Sequence, residues 1–162
     1  MIPQADARDI VKRRASRGKL RPSSAADIQF HFASVPLFAE CSRKELRLLC
    51  KTAVVEHRAA GATLVTQGQA GSNAFVILQG KCRVLRNGRR VGEIAAGGVV
   101  GELSMLNRGP RNASVIADTP LEVAILSRRD FLALLESSPS ISRKLLERLA
   151  QRIQELDARA LA

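Results

Sequence analysis

The segment Val100-Gly101-Glu102-Leu103-Ser104-Met105-Leu106, followed three residues later by Pro110-Arg111-Asn112-Ala113-Ser114-Val115, places one acid, one arginine and the start of a short helix close together in the chain. An arginine presents a planar fork of donors that matches phosphate oxygens. Backbone N–H groups at a helix start face an anion favourably. A carboxylate such as Glu102 accepts from a sugar hydroxyl. A buried sugar phosphate needs all three, so the segment reads as a pocket for a ribose phosphate. The plainer alternative is that Glu102 and Arg111 form a salt bridge with each other on a loop.

Catalytic chemistry is not indicated. Ser104 lies in G-E-L-S-M and lacks the G-x-S-x-G turn that exposes a nucleophile. His31 and His57 stand apart in the sequence, with no carboxylate and thiol set at triad or metal-ligand spacing. Glu102 as a base for phosphodiester hydrolysis would need a metal cluster that the sequence does not offer. The expectation is a binding protein, not an enzyme, with no catalytic residues and no metal site.

The elements around the segment are short. From Ile28 the chain turns apolar through Phe30, Phe32, Val35, Leu37 and Phe38, and Ser42-Arg43-Lys44-Glu45 forms a capping-box pattern for a helix to Cys50. Strand-like runs then follow at 62–66, 74–79, 81–86, 89–94, 112–117 and 121–126, with Asn87-Gly88 as a type I′ hairpin signal. Many short strands with glycine corners predict a mainly β fold of the β-roll or jelly-roll kind, with an N-terminal helical segment. Ser127 reads as the cap of a helix that stops at Ser137-Ser138-Pro139, where a second helix begins. In that last helix Ile141, Leu145, Leu149, Ile153, Leu156 and Ala160 form one apolar stripe. The stripe fits either a helix packed on its own barrel or a movable lid or dimer-forming helix.

The chain's 162 residues, 46% of them hydrophobic, suit one domain with terminal decoration. No apolar run approaches the roughly 20 residues of a membrane span, and no apolar block follows the N-terminal charges, so the expected location is the cytoplasm. Cys41, Cys50 and Cys82 form no CxxC pair, which argues against a disulfide or zinc framework. The formal charge of +11 is spread along a chain with no Trp or Tyr for stacking on bases, so nucleic-acid binding is disfavoured. Residues 1–27 are polar and basic and read as an arm, leaving 28–162 as the folded domain. Within the arm, Arg13-Arg14-Ala15-Ser16 is similar to a site for a basophilic kinase, a pattern that arginine-rich tails produce often by chance.

From about Ile28 to Leu161 the order of strands, glycine corners, acid-and-arginine segment and two closing helices resembles the cyclic nucleotide-binding domain family. The family's phosphate-binding segment reads approximately F-G-E-[LIM]-[AS]-L-[LIM], then P-R-x-A-[ST]-V. Gly101, Glu102, Pro110 and Arg111 stand where this pattern wants them, and Gly61, Gly68, Gly80 and Gly98 fall near the corners of such a roll. The resemblance implies that Glu102 accepts from the ribose 2′-OH and Arg111 pairs with an exocyclic phosphate oxygen. It also implies that the amides of Leu103 and Ser104 face the phosphate and that small residues, Gly101 and Ala113, let backbone approach the ligand. Val100 departs from the usual Phe. Asn112 stands where the family often carries Ala or Thr/Ser, and it can reach the phosphate or a guanine amino group.

On the resemblance, the ligand expected is cAMP, with cGMP as the alternative, because the chain offers no clear second polar group for guanine; no further cofactor is expected. The last helix holds no aromatic residue, so a cap over the base would come from Leu149, Arg152, Ile153 or Leu156. Relatives that read DNA carry a helix-turn-helix after the closing helix, and the sequence given ends at Ala162, so sequence-specific DNA binding is not expected. Output would pass to an unidentified protein partner or effector, or to a homodimer through the last helix, as nucleotide binding shifts the helices from Ser127 onward. The competing expectation is a β-roll that binds no ligand and serves as a scaffold through its basic arm.

Overall fold

The computed structural model describes residues 20–160. Eight strands form two four-stranded antiparallel sheets: β1 (Val54–Arg58), β8 (Leu121–Leu126), β3 (Ala74–Gln79) and β6 (Val99–Val100) in one, and β2 (Thr63–Val65), β7 (Ser114–Ala117), β4 (Lys81–Arg86) and β5 (Arg89–Ala95) in the other. Helices α1 (Ala25–Ala33) and α2 (Arg43–Thr52) precede this β-roll, and α3 (Arg128–Ser137) and α4 (Pro139–Ala160) close it. Both leading helices start on a complete capping box, Ser24 with Asp27 and Ser42 with Glu45. Two of the four orphan donors at each helix start are thereby satisfied by neighbours in sequence.

Strand β3 explains how the layers hold together. Its residues Ala74 to Leu78 are all buried. Ala74, Val76 and Leu78 face Phe32, Phe38, Phe131 and Ile141 of the helices, while Phe75 and Ile77 face Val115 and Val123 between the sheets. Alternation along a pleated strand thus feeds two cores at once. Each buried Leu, Ile or Phe contributes about 2 kcal/mol, so the helices are fastened to the roll by packing and not only by their connections.

The β4–β5 hairpin turns at Asn87 and Gly88 with φ of 52° and 77°, the two positive values that a type I′ turn requires. Strands β3, β4 and β8 begin and end where the sequence pattern predicts. Others differ: β2 is only three residues, β7 starts at Ser114, β5 runs on to Ala95, and β1 and β6 were not expected at all. β1 lies at a sheet edge with Val54 and Val55 exposed, so no apolar/polar alternation marks it. It forms because its backbone pairs with β8 from Val54↔Ile125 to Arg58↔Leu121. Helix α1 starts at Ala25 and straddles the expected arm boundary after residue 27, because the Ser24–Asp27 box begins the helix earlier than the apolar residues alone indicate. The kinase-like Arg13-to-Ser16 pattern lies outside the described residues.

The apolar stripe of α4 divides. Ile141 and Leu145 are buried in the helix-side core, and Leu149 packs against it. Ile153 and Leu156 are 59% and 55% exposed, so the second half of the helix leaves the roll. The first half is tied to α2 through Glu45, whose carboxylate accepts from the Ser140 hydroxyl at 2.8 Å and pairs with Lys144.

Candidate functional site

Strand β6 ends at Val100, which pairs in register with Phe75 and packs in the same core between the sheets. The chain then turns at Gly101 with φ +72° into a 3-10 turn, Glu102–Met105, anchored by the fully buried Met105. Further on, the backbone of Arg111 is held on both sides, its N–H donating to Gln69 O at 2.9 Å and its carbonyl accepting from Gly68 N at 2.8 Å. These two bonds fix where the arginine leaves the chain.

Arg111 is 9% exposed. Its guanidinium donates to Ser104 Oγ at 3.0 Å and to the Asn73 carbonyl at 2.7 Å. A Cβ at Gly71 or at Gly101 would collide with that guanidinium, so both glycines form its cradle. Among the described residues no carboxylate pairs with it, and burial draws its pKa below the ordinary arginine value. A buried charge with neutral hydrogen-bond partners and no counter-charge has room for an anion. Glu102 does not fill it: its Oε1 accepts from Arg152 of α4 at 2.9 Å, and its Oε2 is buried with no partner among the described residues.

These groups open on one cavity of about 410 Å³. Gly101, Glu102, Ser104, Arg111, Asn112 and Ala113 all line it, while Val65, Val84, Ile94, Val99 and Val115 supply an apolar wall. Leu103 is the second residue of the 3-10 turn. Glu102 and Arg111 do not pair with each other, which removes the loop salt bridge as an explanation of the motif. One expected donor is otherwise engaged: the Ser104 amide donates to the Gly101 carbonyl at 3.0 Å, as the tight turn requires, and Ser104 enters the site through its hydroxyl.

Sequence reading missed several contributors. Asn73 and Gly71 come from the loop before β3, far from the motif in sequence. Arg86 also lines the cavity, and its signal was present, since it follows Cys82 and Val84 on the inward face of β4. Of the candidate caps, Arg152 bonds Glu102 and Leu149 lies in the adjoining cleft, whereas Ile153 and Leu156 face outward.

Other titratable groups are committed to structure. The buried carboxylate of Glu122 accepts from the Ser23 amide, from Gln79 and from His57 at 3.1–3.3 Å. Burial alone would raise its pKa, yet the hydrogen bonds from Ser23 and Gln79 and the charge of His57 hold it below the usual carboxylate range. His57 is therefore not the isolated histidine that its sequence context implies. Burial pushes the free thiols of Cys41, Cys50 and Cys82 up to about 11, so all three stay protonated at neutral pH. No helix among the described residues is long and apolar enough to cross a membrane.

A helix-flanked β-roll with an arginine and a glutamate directed into one cavity between its sheets defines a class of small-ligand-binding regulatory module. The chain belongs to the cyclic nucleotide-binding domain family, whose model matches residues 55–138. It is 32% identical over 102 residues to the cyclic AMP receptor protein of Thermus thermophilus, covering 60% of this chain and 47% of that protein. It is 33% identical over 110 residues to a cAMP-dependent protein kinase regulatory subunit of Mycosarcoma maydis, covering 62% and 21%. Among solved structures, a cyclic nucleotide-binding domain from Methylobacillus flagellatus superposes with a TM-score of 0.68 at 31% identity, covering 84% of this chain and 82% of that one. The chain spans about half, or less, of the length of the curated relatives it matches.

Proposed function

We propose that the chain binds one cyclic nucleotide in the cavity between its sheets and acts as a ligand-sensing regulatory module, not a catalyst. The observation that carries this reading is the buried Arg111 guanidinium, which lines the cavity with no carboxylate beside it among the described residues. An exocyclic phosphate oxygen supplies the missing negative charge. The unpartnered Oε2 of Glu102 is an acceptor for a ribose hydroxyl, so sugar and Arg152 occupy different oxygens of the same carboxylate. Ser104 and Asn112 border the phosphate with the backbone of Leu103, and Gly101 and Ala113 leave space for close approach. The site needs no further cofactor. Both cAMP and cGMP are candidates: the want of a second polar group for guanine in the ligand segment favours cAMP, and Arg86 on the cavity wall is a polar group that bears on that choice.

The output is the position of α3 and α4. Glu102 belongs at once to the ligand site and to the ion pair that holds α4, so nucleotide binding biases the helix through a group common to both. The exposed half of α4 is the surface assigned to a second copy of the chain. Of the expected arm 1–27, Ser23 and the start of α1 belong to the folded domain, and the basic residues ahead of them are assigned as an arm available to an effector protein. Three unpaired thiols fit work in the reducing cytoplasm.

Titration calorimetry of the chain with cAMP and with cGMP tests the reading. One nucleotide binds per chain, and Arg111→Ala weakens it by about 30-fold to several thousandfold, the cost of about 2–5 kcal/mol for stranding a buried charge. Absence of heat and of any thermal shift with both nucleotides would return the chain to the scaffold alternative, and undiminished binding by Arg111→Ala would remove that residue from the site.

A further inference from the structure

We infer that Arg86 reads the purine and selects guanine over adenine, an inference that rests on the cyclic-nucleotide reading of the cavity. Along β4 the inward positions are Cys82, Val84 and Arg86; the first is buried between the sheets, the second packs against the same core, and the third reaches the cavity wall. Its base is fixed from two directions. Arg86 Nε donates to the Asn112 carbonyl at 3.3 Å, and the next residue, Asn87, exchanges two 2.8 Å hydrogen bonds with Gln67. Arg83 and Arg90 on the same hairpin both pair with Asp118. Arg86 is exposed, and among the described residues its terminal nitrogens have neither a carboxylate nor a hydrogen-bond partner; it shares the cavity lining with Val65, Val84 and Ile94, an apolar strip that suits a flat base.

A guanidinium donates and never accepts. Guanine offers it two adjacent acceptors, O6 and N7, whereas adenine offers N7 next to an amino group that is itself a donor. One of the two N–H groups of Arg86 would then face a like donor when adenine occupies the site. The single negative charge of the phosphate is common to all cyclic nucleotides and is already served by the more deeply buried Arg111. A second phosphate contact from Arg86 would therefore strengthen every ligand alike and discriminate between none.

Calorimetry with cGMP, cAMP and 3′,5′-cyclic inosine monophosphate, on the wild-type chain and on Arg86→Met, separates these cases. The inosine nucleotide keeps O6 and N7 and lacks the 2-amino group. In the wild type, cGMP and the inosine nucleotide bind about tenfold more tightly than cAMP, as one arginine-to-guanine pair at a partly open site supplies. In Arg86→Met, which keeps the length of the stem and loses the donors, that advantage disappears and the three nucleotides bind within about twofold of one another. Equal weakening of all three by Arg86→Met would make Arg86 a phosphate contact and overturn the inference. Tighter binding of cAMP than cGMP by the wild type would overturn it too. An inosine nucleotide that behaves like cAMP would move the discrimination to the 2-amino group and away from Arg86. If no nucleotide binds the wild type, the reading of the cavity fails; if nucleotides bind and Arg86→Met leaves their ratio unchanged, this inference alone fails.

Discussion

Glu45 joins three parts of the chain through one carboxylate. It caps the start of α2 by accepting from the Ser42 amide at 2.8 Å, accepts from Ser140, and pairs with Lys144 in the first turns of α4. Burial alone would raise its pKa, but the bonds from Lys144, Ser42 and Ser140 outweigh that and bring it down to about 2. The ordinary value is 4.5, so the stabilisation is complete above about pH 4.5 and is lost as the pH falls toward 2. It amounts to about 2 kcal/mol at neutral pH once the partial exposure of Lys144 is discounted. Urea melts at stepped pH check this: Glu45→Gln is less stable than wild type by that margin at pH 7, and the two converge near pH 2. Parallel curves over the whole range would show that the carboxylate does not titrate with folding. The Ser42–Glu45 box was legible in sequence because its partners stand three residues apart. Ser140 and Lys144 were not, because only the fold brings residues nearly a hundred positions away to the same carboxylate.

Among the elements, α4, the proposed output, divides into two unlike halves. Ile141 and Leu145 bury its beginning, while Arg148 and Arg152 hold its middle by single bonds, to the Pro36 carbonyl at 3.0 Å and to Glu102 at 2.9 Å. Interactions this few and this exposed open and close readily, so under the proposed mechanism the middle of the helix is where nucleotide binding would shift a population. Amide exchange over residues 146–160, with and without nucleotide, reads that shift. Exchange changes by at least severalfold on binding in the wild type, and in Arg152→Ala the unliganded helix already exchanges faster. An identical exchange pattern with and without a saturating nucleotide would end the proposal that α4 is the output. The break before Pro139 and the apolar period of α4 were plain in the sequence. Where the roll ends and the helix departs was not, since Leu145 and Ile153 belong to the same stripe and only the extent of the sheet beneath tells them apart.

For the molecule as a whole, charge and the bare end of α4 pull in opposite directions. Leu146, Ile153 and Leu156 are 67%, 59% and 55% exposed and recur at helical steps, the pattern of a helix that packs on a like helix. Two copies would each bring a formal charge of +11, so salt that screens repulsion favours their association. Sedimentation equilibrium is expected to show self-association that tightens from 50 mM to 500 mM salt by about tenfold or less, and Ile153→Lys with Leu156→Lys remains monomeric in both. A monomer at every concentration would assign the stripe to a different protein. The ligand segment itself was readable because its residues are contiguous, and the support behind Arg111 was not, because Asn73 and Gly71 reach its guanidinium only by folding. Gly71 and Gly101 bear on how easily the site can be lost. Neither contributes a side chain, yet a Cβ at either position meets the Arg111 guanidinium and makes it shift, and at Gly101 the positive φ adds backbone strain. Inheritance of the site thus depends on three codons where chemistry points to one, and a drift from glycine to alanine would weaken it while every polar residue of the motif stayed in place.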